Sequence, residues 1–258
     1  MTHTDIDIDY LLDTARIAGQ EILKIYAKDF TVEYKDDKSP LTDADRLSNR
    51  VIIDKLMARY PGSNVISEEN KQIPYEERKD WTSLWLIDPI DGTKEFIKKN
   101  GEFTVNIALI ENGEPTFGVV YAPVPDTLYY GIKGGGAYKV SKGISEKLST
   151  TSSYLDKDTV KVVASRSHMS DETLAFVSDI EKKGKKVDFL SIGSSLKLCL
   201  VAEGVADVYP RFGPTMEWDT GAAHAVALYA GRQVLNADTM QPLIYNKPNL
   251  LNPSFIVQ

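Results

Sequence analysis

The chain has 258 residues, 42% hydrophobic and 26% charged, enough for one large domain or two smaller ones around a substantial core. Its net charge of −7 argues against a general nucleic-acid binder, yet an anionic substrate is admissible because bound divalent cations reverse the local field. One cysteine, Cys199, excludes an intrachain disulfide, three histidines show no zinc spacing, and no apolar run approaches a membrane span.

Apolar residues at Ile8, Leu11, Leu12, Ala15, Ala18, Ile22, Ile25 and Tyr26 recur with a helical period and predict a helix over 8–26. Asp5, Asp7 and Asp9 read as its solvated, dipole-favoured start rather than a metal site. The polar opening Thr2-His3-Thr4-Asp5 is no signal peptide. A second helix is expected over 43–60, before Pro61-Gly62. The polar run Lys35-Asp36-Asp37-Lys38-Ser39-Pro40 between them either lies over a site or simply connects. Short strands over 64–67 and 83–87 follow, then antiparallel strands over 104–110, 116–121 and 127–132 with turns at Asn112-Gly113 and 123–125. Gly134-Gly135-Gly136 lacks the lysine and helix of a phosphate loop and reads as a tight hairpin.

After a polar stretch over 141–154 the pattern changes. Strands over 160–164, 187–192 and 206–209 alternate with helices over 171–182, 194–203 and 219–229. The expected class is α/β: an α+β half over residues 1–142, then an α/β half over 143–258. Cys199 sits in Leu198-Cys199-Leu200-Val201 and reads as a packed thiol in a reducing compartment.

The most informative run is Trp85-Leu86-Ile87-Asp88-Pro89-Ile90-Asp91-Gly92-Thr93-Lys94-Glu95-Phe96. An apolar strand there delivers two carboxylates, a rigid proline, a permissive glycine and a hydroxyl. Such a corner can hold Asp88, Asp91 and a free carbonyl oxygen around one hard cation, with the Gly92 and Thr93 amides facing a phosphate. Other acids stand at Asp45, Glu68, Glu69 and Asp219. If these converge, each pair about 4 Å apart repels by about 4 kcal/mol at an effective dielectric near ~20, so the cluster must take up protons or divalent ions. All-oxygen donors favour magnesium or manganese over zinc. Taken singly, Asp219 at a helix start reads as a cap more readily than as a ligand, and only one of the adjacent Glu68 and Glu69 enters a site.

Together these segments resemble the inositol monophosphatase superfamily, the magnesium-dependent, lithium-sensitive phosphatases. Two signatures carry the resemblance: residues 85–98 around Asp88-Pro89-Ile90-Asp91-Gly92-Thr93, and Trp218-Asp219 leading to Ala230-Gly231. Gly221 departs from the alanine or cysteine more usual there. Residues 39–45, 91–98, Ser165-Arg166-Ser167-His168, 191–197 and 209–215 look like the bacterial CysQ-type branch, the 3'(2'),5'-bisphosphate nucleotidases.

The resemblance implies a layered αβαβα sandwich. It puts one metal on Glu68, Asp88 and the Ile90 carbonyl, a second on Asp88, Asp91 and Asp219, and a third, weaker ion near Glu68 and Asp45. It casts Asp45 and Thr93, beside Glu68, as the catalytic group that orients and deprotonates the attacking water, with direct displacement and no phosphoenzyme. The Gly92 and Thr93 amides would hold the phosphate, with Asp219 also bordering the substrate. Arg211 stands where inositol phosphatases usually carry an acid, and a guanidinium suits a second phosphate or a base face. Ser194 and Lys197 match nucleotide-contacting positions, while His168 either stacks on adenine or is structural.

The implied activity is Mg2+-dependent hydrolysis of 3'-phosphoadenosine 5'-phosphate to AMP and phosphate, with Mn2+ as a substitute ion. The implied setting is the sulfur metabolism of the cytoplasm, with or without peripheral contact to the inner membrane's cytoplasmic face. The partner is a small nucleotide rather than nucleic acid, and the enzyme a monomer or homodimer. Two other readings compete: an inositol monophosphatase or broad sugar phosphatase, and a non-catalytic sensor of nucleotide and metal. The intact set Asp45, Glu68, Asp88, Asp91, Thr93 and Asp219 argues against the sensor.

Overall fold

The computed structural model describes residues 2–28, 31–34, 40–150, 152–164 and 169–258. The expected loop at 35–39 and the segment 165–168, with His168, lie outside the described residues. Helix α1 (Ile8–Tyr26) starts where Asp7 accepts the Tyr10 amide, so one of the three early acids is a cap. A short antiparallel pair, β1 (Val32–Tyr34) and β2 (Pro40–Thr42), leads into α2 (Asp43–Arg59).

The central element is a seven-stranded sheet in sequence order. It runs through β3 (Val65–Ser67), β4 (Ser83–Asp91), β5 (Thr104–Glu111), β6 (Glu114–Ala122), β7 (Thr127–Ile132), β8 (Gly136–Ser141) and β9 (Ile144–Leu148). Only β3 and β4 pair in parallel; the other neighbours are antiparallel. Short helices α3 (Tyr75–Arg78) and α4 (Thr93–Ile97) flank β4.

Strand β4 extends past the expected end at residue 87, through Pro89 to Asp91, with a register shift between Asp88 and Asp91. The polar stretch after 141 is also strand: Lys142 (φ 52°) and Gly143 (φ 76°) form a two-residue turn joining β8 to β9. The expected boundary at 142 therefore coincides with the tip of a hairpin within the large sheet. Strand β9 is mostly exposed and polar, as suits an edge, which is why it carries no apolar alternation.

Beyond the sheet come β10 (Thr159–Val163), α5 (Asp171–Lys182), β11 (Lys186–Leu190), α6 (Leu196–Glu203), β12 (Tyr209–Arg211), α7 (Glu217–Tyr229), β13 (Val234–Asn236) and β14 (Phe255–Val257). Strands β10 and β11 are parallel across the α5 crossover, and a parallel bridge from Val162 to Val208 leads on to the β12-β14-β13 sheet.

The layers follow from which apolar faces meet. Leu11, Ile22, Ile52 and Leu56 of α1 and α2 pack on Trp85, Ile87, Ile107 and Val119. The opposite face, with Leu86, Ala108 and Val120, packs on Leu198, Ala223 and Val226 of α6 and α7. Val160, Val162, Val208 and Ile256 then meet Val177 and Ile180 of α5. The order is helix, sheet, helix, sheet, helix: a mixed α/β αβαβα sandwich. Among the described residues no helix is long and apolar enough to cross a membrane.

Helix α7 lies very close to the large sheet. A Cβ on Gly118 would sit 2.2 Å from the Ala222 carbonyl oxygen, and one on Gly131 2.5 Å from that of Ala225. At Gly221 an added Cβ would meet Leu86 Cδ1 at 3.2 Å and the Ala108 Cβ at 3.3 Å, which accounts for glycine there. Gly118→Ala must push α7 outward. The expected cost is about 1–3 kcal/mol, read by calorimetry as a melting temperature lowered by about 5 °C.

Candidate active site

Strand alternation sets the first acids. Leu84 and Leu86 of β4 face α6 and α7, so Asp88 faces the same way, and Glu68 shares that parity with Ile66 on β3. Asp219 comes from the first turn of α7 on the same side. One carboxylate oxygen from each of Glu68, Asp88 and Asp219 lies within 4.8 Å of the other two. These three line a 210 Å³ cavity with Ile90, Asp91, Gly92, Thr93, Lys94 and Glu95. A larger cavity of 640 Å³ also borders Glu68 and Asp219, walled by Ile73, Tyr75, Trp218 and Leu250.

Asp219 is both a cap and a member of the cluster, so the two readings of it are not exclusive. Its Oδ2 accepts the Met216 amide at 2.8 Å. Asp45 plays the same double part at the start of α2. Its Oδ2 accepts the Thr42 amide at 2.7 Å and the Thr42 hydroxyl at 2.6 Å, while Oδ1 faces the Thr93 hydroxyl at 3.3 Å. The Ile90 carbonyl oxygen also lies 3.3 Å from that hydroxyl. Asp88 Oδ1 accepts the Ile90 amide at 3.1 Å, and Ser48 Oγ donates to the Pro89 carbonyl at 2.9 Å, pinning the bulged end of β4. Gly92 (φ 92°) adopts a backbone that other residues resist, and the Gly92 and Thr93 amides stand at the free amino end of α4.

Asp91 is placed differently from the trio. Its Oδ2 accepts both the amide and the hydroxyl of Ser195, each at 2.5 Å. Ser194 (φ 52°) packs over the bare Cα of Gly92, and its buried hydroxyl has no hydrogen-bond partner among the described residues. Lys197 and Arg211 line a further cavity of 110 Å³ with Tyr209 and Phe212. Arg211 Nη2 donates to the Pro214 carbonyl at 3.1 Å, leaving its buried Nε unpartnered.

The electrostatics follow the geometry. Burial first, then the charges of Glu68, Asp91 and Asp219, hold the Asp88 carboxyl well above the usual range. Burial also raises Asp91, opposed by the Ser195 hydroxyl and the Lys197 charge. Asp219 is pushed up to about 8 by burial and by Asp91, against the Met216 amide. Burial lowers Lys197, with Asp91 pulling the other way. His224 and Cys199 lie in the core, where burial takes the imidazole down to about 3 and raises the thiol, so neither supplies a nucleophile or base.

Ser195, Asn106 and Glu102 escaped the sequence reading. Asn106 Nδ2 donates to Ser195 Oγ at 2.7 Å, and Glu102 accepts the Gly193 amide at 2.8 Å. The available signal was a lone amide inside the apolar strand Val105-Asn106-Ile107-Ala108.

An all-carboxylate trio in which burial and neighbouring charge hold Asp88 and Asp219 above the ordinary range fits divalent ions bound through oxygen. Protons held by buried acids in the folded state alone make stability fall as pH rises from 3.8, the ordinary carboxylate value, through about 8 for Asp219. Ions that displace those protons remove the penalty. Magnesium or manganese chloride is therefore expected to raise the melting temperature more at pH 8 than at pH 5.5, by scanning fluorimetry against an EDTA control.

Comparison with known proteins gives a consistent answer. The chain is 44% identical over 252 residues to 3'(2'),5'-bisphosphate nucleotidase CysQ of Salmonella typhimurium, covering 97% of this chain and 98% of that one. It is 45% identical over 253 residues to the protein of the same name from Escherichia coli K12, with the same coverage. The crystal structure of CysQ from Bacteroides thetaiotaomicron, titled a bacterial member of the inositol monophosphatase family, superposes with a TM-score of 0.84 at 47% identity, over 96% of this chain and 95% of that one. The profile of the inositol monophosphatase family matches residues 6–255. The chain therefore belongs to the inositol monophosphatase family and is a phosphatase.

Proposed function

We propose that this phosphatase is a cytoplasmic, Mg2+-dependent 3'(2'),5'-bisphosphate nucleotidase, the activity for which its relatives are named, converting 3'-phosphoadenosine 5'-phosphate to AMP and phosphate. One observation carries the substrate choice. In a chain of net charge −7, Lys197 and Arg211 face one cavity beside the acidic cluster. A polyol offers two cations only neutral hydroxyls, whereas a second phosphate offers negative charge and charge-assisted hydrogen bonds. His168 remains part of the proposal as a stacking partner for the base, and Ser194 as a donor from its unpartnered hydroxyl.

Glu68, Asp88, the Ile90 carbonyl, Asp91 and Asp219 would hold the divalent ions. When bound, these supply Lewis acidity at the phosphoryl oxygens and lower the pKa of water toward neutrality. The chain's own groups do the rest. The Gly92 and Thr93 amides orient the phosphate. Asp45 Oδ2 accepts from Thr42, and Oδ1, 3.3 Å from Thr93 Oγ1, takes the Thr93 proton. Thr93 Oγ1 can then accept a hydrogen from the attacking water, and that proton passes through it to Asp45. The water is thereby aimed at phosphorus, opposite the leaving ribose oxygen.

A panel of phosphomonoesters assayed with magnesium, with and without lithium, tests the assignment. The bisphosphate nucleotide is expected to be hydrolysed faster than inositol 1-phosphate; the reverse order overturns it. Asp91→Asn is expected to abolish turnover while preserving the circular dichroism spectrum. Arg211→Glu is expected to lower kcat/KM for the bisphosphate about 100-fold, and for a simple monophosphate by no more than about threefold, as loss of a charge-assisted contact to one phosphate demands.

A further inference from the structure

Ser195 is the first residue before α6, where a serine hydroxyl normally accepts an amide from its own helix. It makes no such bond. Its hydroxyl is instead spent on the acidic site, inside a cage that leaves it 1% exposed. Asn106, also 1% exposed, donates Nδ2 to Ser195 Oγ at 2.7 Å. That fills one oxygen lone pair and directs the single hydroxyl proton forward. Two acceptors face it: Asp91 Oδ2 at 2.5 Å and the Asp219 backbone carbonyl at 2.9 Å. The Ser195 amide converges on the same Asp91 oxygen, also at 2.5 Å.

We propose that Ser195, backed by Asn106, is a positioning residue for the phosphatase reaction that fixes how Asp91 presents its carboxylate. Two donors saturate Oδ2, so Asp91 is left to offer Oδ1 to a divalent ion, as a one-oxygen ligand rather than a chelating one. The Asp219 carbonyl, 2.9 Å from the same hydroxyl, is the more distant of two acceptors for its one proton, so the shorter contact to Asp91 holds it. Glu102, holding the Gly193 amide at 2.8 Å, keeps the preceding loop in place. Placement of a ligand by a hydrogen-bonded neighbour typically changes metal affinity or activity 10–100-fold, which sets the size of the effect sought. The assignment rests on the reading of Asp91 as a metal ligand.

The test uses the full chain and manganese as the probe. Binding of Mn2+ is titrated by electron paramagnetic resonance for the wild type, Ser195→Ala, Asn106→Ala and Asp91→Asn, alongside melting temperatures in EDTA. Ser195→Ala is expected to weaken Mn2+ binding by about 10-fold or more and to shift the magnesium activation midpoint in step, with KM for the nucleotide at saturating magnesium within about twofold. Asn106→Ala, which frees the hydroxyl to turn to the Asp219 carbonyl, is expected to lose about threefold, and it stands in should Ser195→Ala not fold. A merely structural serine would lower the EDTA melting temperature and leave Mn2+ affinity untouched, and that result overturns the proposal. If Asp91→Asn still loses Mn2+ in that case, the metal reading survives alone; if it binds like wild type, both readings fall.

Discussion

Mutual repulsion among buried carboxylates is the constraint around which this molecule is arranged. Three oxygens within 4.8 Å of one another, from Glu68, Asp88 and Asp219, repel by about 3 kcal/mol per pair at an effective dielectric near ~20. The total, about 10 kcal/mol, is comparable to the entire stability of a typical domain. The fold softens this with what the backbone supplies. Asp45 and Asp219 each sit in the first turn of a helix and accept the amide before it, and Asp91 takes the amide and hydroxyl that open α6. Such helix-terminal contacts contribute about 0.3–1 kcal/mol each, up to about 2 when partly buried. They reduce the repulsion without cancelling it. Protons take up the balance in the metal-free chain, which is why Asp88, Asp91 and Asp219 all titrate high, and divalent ions would take it up in the working enzyme.

Holding repelling groups together requires stiff supports, and the layers provide them. Glu68 follows the end of β3 and Asp88 lies within the adjacent parallel strand β4, which is buried along most of its length, so its backbone cannot swing aside. Asp219 arrives on α7, which is seated so closely on β6 and β7 that only glycine fits at positions 118 and 131. The same contact makes the two halves of the chain interdependent. An acid from the far end completes a cluster begun on the first strands, and the 142–143 turn lies within the sheet that α7 covers. The site exists only when both halves are in place.

Much of this was legible in the sequence because it rests on local signals. Periodic apolar positions marked α1, the flanking turns and apolar runs marked α2, α5 and the strands β3 to β7, and the Asp88 to Thr93 run announced the acidic corner. What escaped was set by partners far along the chain. Strand β9 is a polar edge, and β13 and β14 are three residues each, too short for any period to register. The start of α6 was misjudged by two residues because Ser195 behaves as the partner of Asp91 rather than as the opening of its helix. Asn106 is an amide in an apolar strand, and only its pairing opposite Asp88 and its bond to Ser195 reveal why it is there. The position of Lys197 and Arg211 around one cavity likewise depends on α6 and β12 meeting in space.

That arrangement bears on the choice between turnover and mere binding. A sensor for nucleotide and metal needs the acidic trio and the two cations, and nothing more. Asp45 adds a further buried acid at 1% exposure, fixed at the start of α2 by its contacts to Thr42. Its Oδ2 is fully engaged by Thr42, and its Oδ1 is aimed at the one hydroxyl, on Thr93, that stands beside both the Ile90 carbonyl and the Gly92 turn. Such a pair contributes little to affinity for a bisphosphate, because its charge opposes that of the phosphates. It makes physical sense as a receiver for the proton that water must give up on attack. A buried acid aimed at the Thr93 hydroxyl beside the acidic cluster serves proton transfer and is not needed for binding alone, and that favours catalysis over sensing.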